Sequence, residues 1–316
     1  MKKKIVSLML ATVMAVSLLA GCGSGDGAAA DTGAAADTDA AEEAAQTEET
    51  AGTEETAGEE KGVLRVGMEC AYAPFNWTQE TEEVANGDTA VPIYGTDYYA
   101  YGYDVMMAKK IADELGWDLE IHKVEWDSIG LAMDSGQYDC IIAGMGRTAE
   151  REQSYSFTEP YYYRDNCITV KKGSELESVT GLSDLAGKNV TVTTQLGTGW
   201  VPLLDQIPDV TLGANYETTA ECFMAISNGV ADIAVIDVPT AESAAMTNSD
   251  LTVIYLNEDD AFENDDDMIN VCIATRKDDT ELRDKIQEAM DRLGWNDKAA
   301  MDEMMEEAIS VQPAAN

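Results

Sequence analysis

From Val63 onward short apolar runs alternate with stretches of helical periodicity, and that alternation confines the chain to an α/β architecture with mainly parallel strands. Leu64 to Gly67 reads as the first strand, and Leu119 to Val124 alternates as another. Between them Tyr103 to Leu115 sets Val105, Ala108, Ile111 or Ala112, and Leu115 on one face, and Gly116 stops the helix. Asp127 or Ser128 is placed to cap a helix that ends near Gly136. Further strands are expected at Cys140 to Ala143, Cys167 to Val170, Val190 to Thr193, Ala231 to Ile236 and Leu251 to Leu256. Helices are expected at Thr219 to Asn228, Thr280 to Leu293 and Asp297 to Ile309. A span of about 250 residues suffices for one large or two modest domains.

The most informative stretch is Asp139 to Tyr163, DCIIAGMGRTAEREQSYSFTEPYYY: a short apolar strand, a glycine turn, a helix start and an aromatic exit. Gly144 and Gly146 let backbone N–H groups turn outward with no side chain in the way. Thr148 is placed as the N-cap of Ala149 to Gln153, which aims a helix N-terminus at the same turn, and Arg151 adds a planar fork that a carboxylate can accept. Taken alone, the motif equally describes a glycine loop with a surface arginine. A second cluster runs Gln195-Leu196-Gly197-Thr198-Gly199-Trp200, with Pro202 early in a following helix. Asp237 leaves a strand just before Pro239, so it is either a helix cap or a buried acid that faces a cation.

GVLRVGMECAYAPFNW (62–77), YGYDVMMAKKIADELG (101–116), EWDSIGLAMDSGQYDCIIAGMGRTAERE (125–152), FTEPYY (157–162), VTVTTQLGTGW (190–200) and GVADIAVIDVPTA (229–241) follow one another in a telling order. The series resembles the polar amino-acid-binding proteins of ABC importers, the extracellular solute-binding protein family 3, lipoprotein type, across nearly all of residues 62–311. The resemblance implies an α/β two-lobe periplasmic-binding-protein type II fold, each lobe a mainly parallel sheet flanked by helices, the lobes joined by two strand crossings. Lobe 1 would comprise residues 62–170 and 271–316, and lobe 2 residues 174–268. Lys171-Lys172-Gly173 would make the first crossing and Asn270 to Thr275 the second, with the last two helices packing on lobe 1.

The resemblance also implies roles. Tyr72 would stack on a bound amino acid, Trp126 would face it from the opposite side, and Glu69 would reach its side chain, with Phe75 in the same aromatic loop. Ala143, Gly144, Gly146 and Arg151 would hold the α-carboxylate and offer an acceptor to the ammonium. Thr198, with Gln195 and Gly199 beside it, would supply the donors of the second lobe, and Asp237 would balance the ammonium. Three positions depart from the family pattern. Gly146 stands where a serine or threonine is common, so a backbone N–H or water must replace a hydroxyl. Met106 stands where a second aspartate is frequent, and Ile236 where a polar residue is usual. The implied function is capture of a free amino acid, polar or basic, by hinge closure outside the cell and delivery to ABC permease subunits. Their ATPase would be a separate protein, because no phosphate-binding loop is visible in this chain. The polar excursion Gln79 to Ala100 would border the cleft mouth.

Lys2, Lys3 and Lys4, an apolar run from Ile5 to Ala20, and Gly21-Cys22 read as a signal peptide over residues 1–21, too short for a permanent span. Its end resembles the bacterial lipoprotein box, which would make Cys22 the lipid-bearing residue, palmitate included, and place the protein on the outer face of the cell membrane. Residues 22–61 are then a lipidated cysteine and a disordered acidic tether, since alanine, glycine, threonine and acids cannot offset the entropy of ordering. The formal charge of −40 falls to −43 once the three leader lysines are removed, and it excludes a nucleic-acid partner. Cys70, Cys140, Cys167, Cys222 and Cys272 lack C-x-x-C spacing and histidine neighbours, so neither a metal site nor another cofactor is expected. They are buried thiols, or contain one bridge. Two rival readings share the fold: a periplasmic dehydratase-like enzyme and a ligand-sensing module of a signalling receptor. The only histidine, His122, falls in a strand away from the expected cleft, and the chain is read as a binding protein and not an enzyme.

Overall fold

Two five-stranded sheets organise the computed structural model, which describes residues 61–264 and 269–313. The signal peptide, Cys22 and all but the last residue of the tether lie outside the described residues. The first sheet has the order β6-β1-β7-β14-β8, formed by Asp118–Lys123 (β6), Val63–Met68 (β1), Cys140–Ile141 (β7), Asn270–Arg276 (β14) and Tyr155–Tyr163 (β8). The second runs β11-β10-β12-β9-β13: Thr211–Leu212 (β11), Thr191–Thr193 (β10), Ile233–Asp237 (β12), Asn166–Lys171 (β9) and Leu251–Ile254 (β13). β1 is parallel to β6 and β7, and β10 is parallel to β11 and β12.

Each sheet contains one strand antiparallel to its neighbours, β14 in the first and β9 in the second. Each of these is the strand laid down immediately after the chain changes sheets. Such a strand starts at the edge where the parallel strands end, so it must run against them. The register agrees: Asn166 pairs with Asp237, the last residue of β12, and Asn270 pairs with Tyr163, the last residue of β8.

That topology corrects the expected boundaries. Asn166–Lys171 belongs to the second sheet, so residues 166–170 do not extend lobe 1, and the first crossing is Arg164-Asp165, not Lys171-Lys172-Gly173. Asn270 to Thr275 is likewise not a crossing but the body of β14 inside the first sheet. The sequence misleads because a lysine-glycine turn resembles a linker. Gly173 does turn, with φ of 79°, but at the far end of β9.

The excursion after Trp77 joins the preceding loop in a small antiparallel sheet of order β2-β3-β5-β4, from Ala71–Tyr72 (β2), Asn76–Gln79 (β3), Tyr99–Tyr101 (β5) and Val91–Pro92 (β4). Helix α1, Tyr103–Leu115, ends as expected at Gly116, whose φ of 68° is left-handed. Ser128 occupies the N-cap position of α2, Ile129–Asp134, without a side-chain capping bond, and its hydroxyl donates instead to Asp127 Oδ1 at 3.3 Å. After a four-residue turn α3, Arg151–Ser154, the second sheet carries α4, Thr219–Ser227, with a complete Thr218–Glu221 capping box. Next come α5, Val238–Thr247, α6, Thr280–Arg292, and α7, Lys298–Ser310. α7 lies on β8 and α1 but also touches α5, so the last helix reaches both halves. Pro202 begins not an α-helix but the 3-10 helix Val201–Gln206.

Tyr101, Tyr103, Tyr138 and Tyr161 are fully buried, each such side chain contributing roughly 1.5–3 kcal/mol through its apolar area. Their hydroxyls are paired, as burial requires: Tyr103 donates to the Tyr161 carbonyl at 2.7 Å and Tyr161 to Asp104 at 2.5 Å. Cys70, Cys140, Cys167, Cys222 and Cys272 are all buried free thiols.

Candidate functional site

Loops leaving the carboxyl ends of β1, β7, β10 and β12 converge between the two sheets, the edge where open α/β sheets place their ligands. They border a narrow, partly open void lined by Glu69, Tyr72, Trp126, Ala143, Gly144, Arg151, Arg164, Gln195, Thr198, Gly199 and Trp200. Nine of the expected site residues are among these. Phe75, Gly146 and Asp237 are not: each stands one layer behind the lining.

The turn after β7 carries the guanidinium. Arg151 N–H donates to Thr148 Oγ1 at 3.2 Å, so Thr148 serves the expected capping function although the helix begins only at Arg151. Its Nη1 donates to the Gly146 carbonyl at 2.8 Å, which is why Gly146 supports the site without lining it. Nη2 donates across the cleft to the Gly197 carbonyl at 3.2 Å, and Trp126 Nε1 donates to that same oxygen at 3.2 Å. The guanidinium carbon lies 5.2 Å from the Trp126 ring, a cation–π contact. Burial, with the nearby charge of Arg164, lowers the Arg151 pKa to about 10.

Gly144 has φ of +61°, and a Cβ there would stand 2.5 Å from Tyr72 Cε1, so only glycine fits. Its N–H donates to Tyr161 Oη at 3.0 Å, and Tyr161 in turn donates to Asp104. Asn76 Nδ2 donates to the other Asp104 oxygen at 2.7 Å. Burial pushes the Asp104 carboxyl up to about 6 against these hydrogen bonds. This chain from Asp104 to the Gly144 peptide was not legible as part of the site. Its one signal is an acid inside the first, otherwise apolar turn of α1.

Tyr72 stacks on Phe75 with centroids 4.8 Å apart, so Phe75 backs the lining ring from the core. The Tyr72 hydroxyl donates to Asp237 Oδ2 and accepts from Arg164 Nη1 at 3.0 Å. Asp237 Oδ1 accepts the Thr240 N–H at 3.0 Å and so caps α5. Both readings of Asp237 therefore describe one carboxylate: a cap on one oxygen, and a buried charge behind Tyr72 on the other.

Glu69 is the carboxyl within the lining. Burial pushes it up to about 8, opposed by Gln195 Nε2, which donates to Glu69 Oε1 at 2.9 Å. Gln195 also donates to the Glu217 carbonyl at 2.9 Å, and Thr198 Oγ1 to the Gln195 carbonyl at 2.7 Å. The sequence reading missed Arg164 and Trp200. Arg164 sits in the crossing that was misplaced, and Trp200 closes the glycine turn that was read for its threonine.

His122 lies outside this cleft, hydrogen-bonded to Glu120 at 2.6 Å and stacked on Tyr94. The excursion through residues 80–98 does not line the void either. Among the described residues no group of three or more His, Cys, Asp or Glu is placed to hold a metal ion, and no helix is long and apolar enough to cross a membrane.

Known proteins repeat this architecture. The family of bacterial extracellular solute-binding proteins, family 3, matches residues 64–303. The arginine-binding extracellular protein ArtP of Bacillus subtilis (strain 168) is 30% identical over 243 residues, covering 75% of this chain and 82% of ArtP. The amino acid ABC transporter substrate-binding protein AbpA of Streptococcus pneumoniae Canada MDR_19A, solved bound to L-arginine, superposes with a TM-score of 0.64 at 26% identity, over 80% of this chain and 97% of that one. The ancestral amino acid-binding protein AncCDT-1, a precursor of cyclohexadienyl dehydratase, gives a TM-score of 0.61 at 27% identity, over 78% of this chain and 96% of that one.

Proposed function

The chain belongs to the bacterial extracellular solute-binding proteins of family 3 and has their two-lobe type II fold, and from that premise we propose that it captures a free amino acid and delivers it to the permease subunits of an ABC importer. The observation that carries this reading is Arg151: its backbone N–H is held by Thr148, its guanidinium at the cleft wall is fixed by the Gly146 carbonyl, and Nη2 spans to Gly197 on the opposite loop. A carboxylate that enters here meets two N–H groups in a fork and replaces a carbonyl with a full charge. The lobes then close because the ligand's partners are divided between them.

Arg151 and the Gly144 turn receive the α-carboxylate, Tyr72 and Trp126 flank the aliphatic part, and Glu69 with Gln195 meets the far end of the side chain. A buried carboxyl paired with an amide selects a polar or basic side chain, because an apolar one would leave both without partners. The leader of residues 1–21 exports the chain, Cys22 takes the lipid, and residues 22–61 tether the folded part to the outer face of the membrane.

Thermal unfolding against the twenty amino acids, with ornithine, citrulline and cystine, tests the ligand, since selective stabilisation follows when only the native state binds. A response to a few polar or basic members is expected. Silence from folded protein across the panel removes the amino-acid reading. Labelled palmitate incorporated by the wild type and lost in Cys22→Ser tests the anchor.

A further inference from the structure

Arg164 reaches the cleft from the crossing between the sheets, a position with no role in the reading so far. It is only 8% exposed, and it lines the void. Its Nη1 donates to the Gly144 carbonyl at 2.8 Å and to the Tyr72 hydroxyl at 3.0 Å. The Tyr72 hydroxyl in turn donates a hydrogen bond to Asp237 Oδ2. The guanidinium carbon also lies 5.2 Å from the ring of Trp200, so a planar cation is held by both halves.

The acceptors in that list are the ones an incoming ammonium would need. A carbonyl at the Gly144 turn and the Asp237 carboxylate are the negative ends on that side of the void. Here both are answered from within the protein, one directly and one through Tyr72. Asp237 is fully buried and takes no part in the lining. Burial opposes the charge on Arg164, but the Tyr72 and Asp237 oxygens outweigh it and hold its pKa above the ordinary arginine value. The cation therefore stays.

We propose that Arg164 supplies internally the positive charge that an α-ammonium would bring, so that the pocket accepts carboxylic acids lacking the α-amino group at least as well as the amino acids with the same side chain. This rests on the assignment of Arg151 to the ligand carboxylate. An ammonium entering beside the Gly144 carbonyl meets a like charge a few ångströms away in a medium of low polarity, and must displace a guanidinium from its partners. A methylene, hydroxyl or oxo group at the same carbon asks for neither.

The test is calorimetric titration of the full protein with L-arginine, L-glutamine and L-phenylalanine, each paired with the same acid lacking its α-amino group. In the wild type the deaminated member of a responding pair is expected to bind within about threefold of the amino acid, or tighter. Arg164→Met should shift that ratio by about tenfold or more toward the amino acid, and Arg164→Lys, which keeps a cation with fewer donors, should fall between. A wild type that prefers the amino acid by more than about a hundredfold, or an unchanged ratio in Arg164→Met, overturns the proposal while leaving the amino-acid reading intact. Should Arg164→Met fail to fold, the wild-type ratio and Arg164→Lys decide. Folded wild type that responds to no member of any pair overturns both.

Discussion

The two walls of the cleft are built differently. On the first-sheet side, the Gly144 turn is anchored from beneath by Tyr161, Asp104 and Asn76, all tied into a buried aromatic cluster. On the second-sheet side, the loop from Gln195 to Trp200 is held by its own turn, Thr198 onto Gln195, and by bonds within its own half: Gln195 to the Glu217 carbonyl, the Leu196 N–H to the Tyr216 carbonyl at 2.8 Å, and Trp200 Nε1 to Asn166 Oδ1 at 2.9 Å. The first wall carries the side-chain cations and the second answers with backbone, chiefly the Gly197 carbonyl. The Arg151 cation therefore stands on the first wall, and the second wall meets it with a carbonyl.

Breaking the first wall should cost most. Arg151→Ala is expected to weaken ligand binding by at least about a hundredfold while thermal stability changes little, because a half-buried arginine bonded to two loop carbonyls adds little to the core. Retained affinity would remove Arg151 from the carboxylate role. Asp104→Ala strips acceptors from Tyr161 and Asn76, and an expected loss of about 1–3 kcal/mol in urea unfolding should accompany faster hydrogen exchange at the Gly144 amide. Exchange left unchanged would show that the Gly144 turn does not depend on that network.

Glu69 and Gln195 join the walls, so their effect is smaller and depends on pH. With its pKa raised to about 8 in the closed cleft, Glu69 favours closure fully below the ordinary glutamate range, and that contribution is lost as pH rises through about 8. Small-angle scattering of the free protein should show expansion between pH 6 and 9, and Glu69→Gln should abolish the trend. A basic ligand that meets Glu69 would reverse the shift, so its binding at neutral pH should release a proton, read from calorimetry in two buffers of different ionisation heat. The smallest effect is expected of Trp126→Phe, which keeps a ring but loses the bond to Gly197: about 0.5–1.5 kcal/mol of binding energy. A larger loss would mean that the second wall depends on Trp126 for its position and not only for contact.

The sequence by itself determined the strands of the two large sheets, the longer helices and most of the lining. Helix α1 begins and ends where its apolar face and Gly116 require, and Glu69, Tyr72, Trp126, Gly144, Arg151, Gln195 and Thr198 meet at one void because each follows a strand whose end points there. These are local statements: periodicity, a cap, a residue at a strand exit. Tertiary structure alone decided where the chain changes sheets, since Cys167 to Val170 is equally a strand in either, and only its pairing with β12 assigns it. The same holds for the layering of the site. Asp237 and Phe75 were placed behind Tyr72, and Arg164 and Trp200 beside it, by contacts between residues up to 165 positions apart. Local spacing does not encode such contacts, because a charge in a crossing acquires partners only when both sheets are in place.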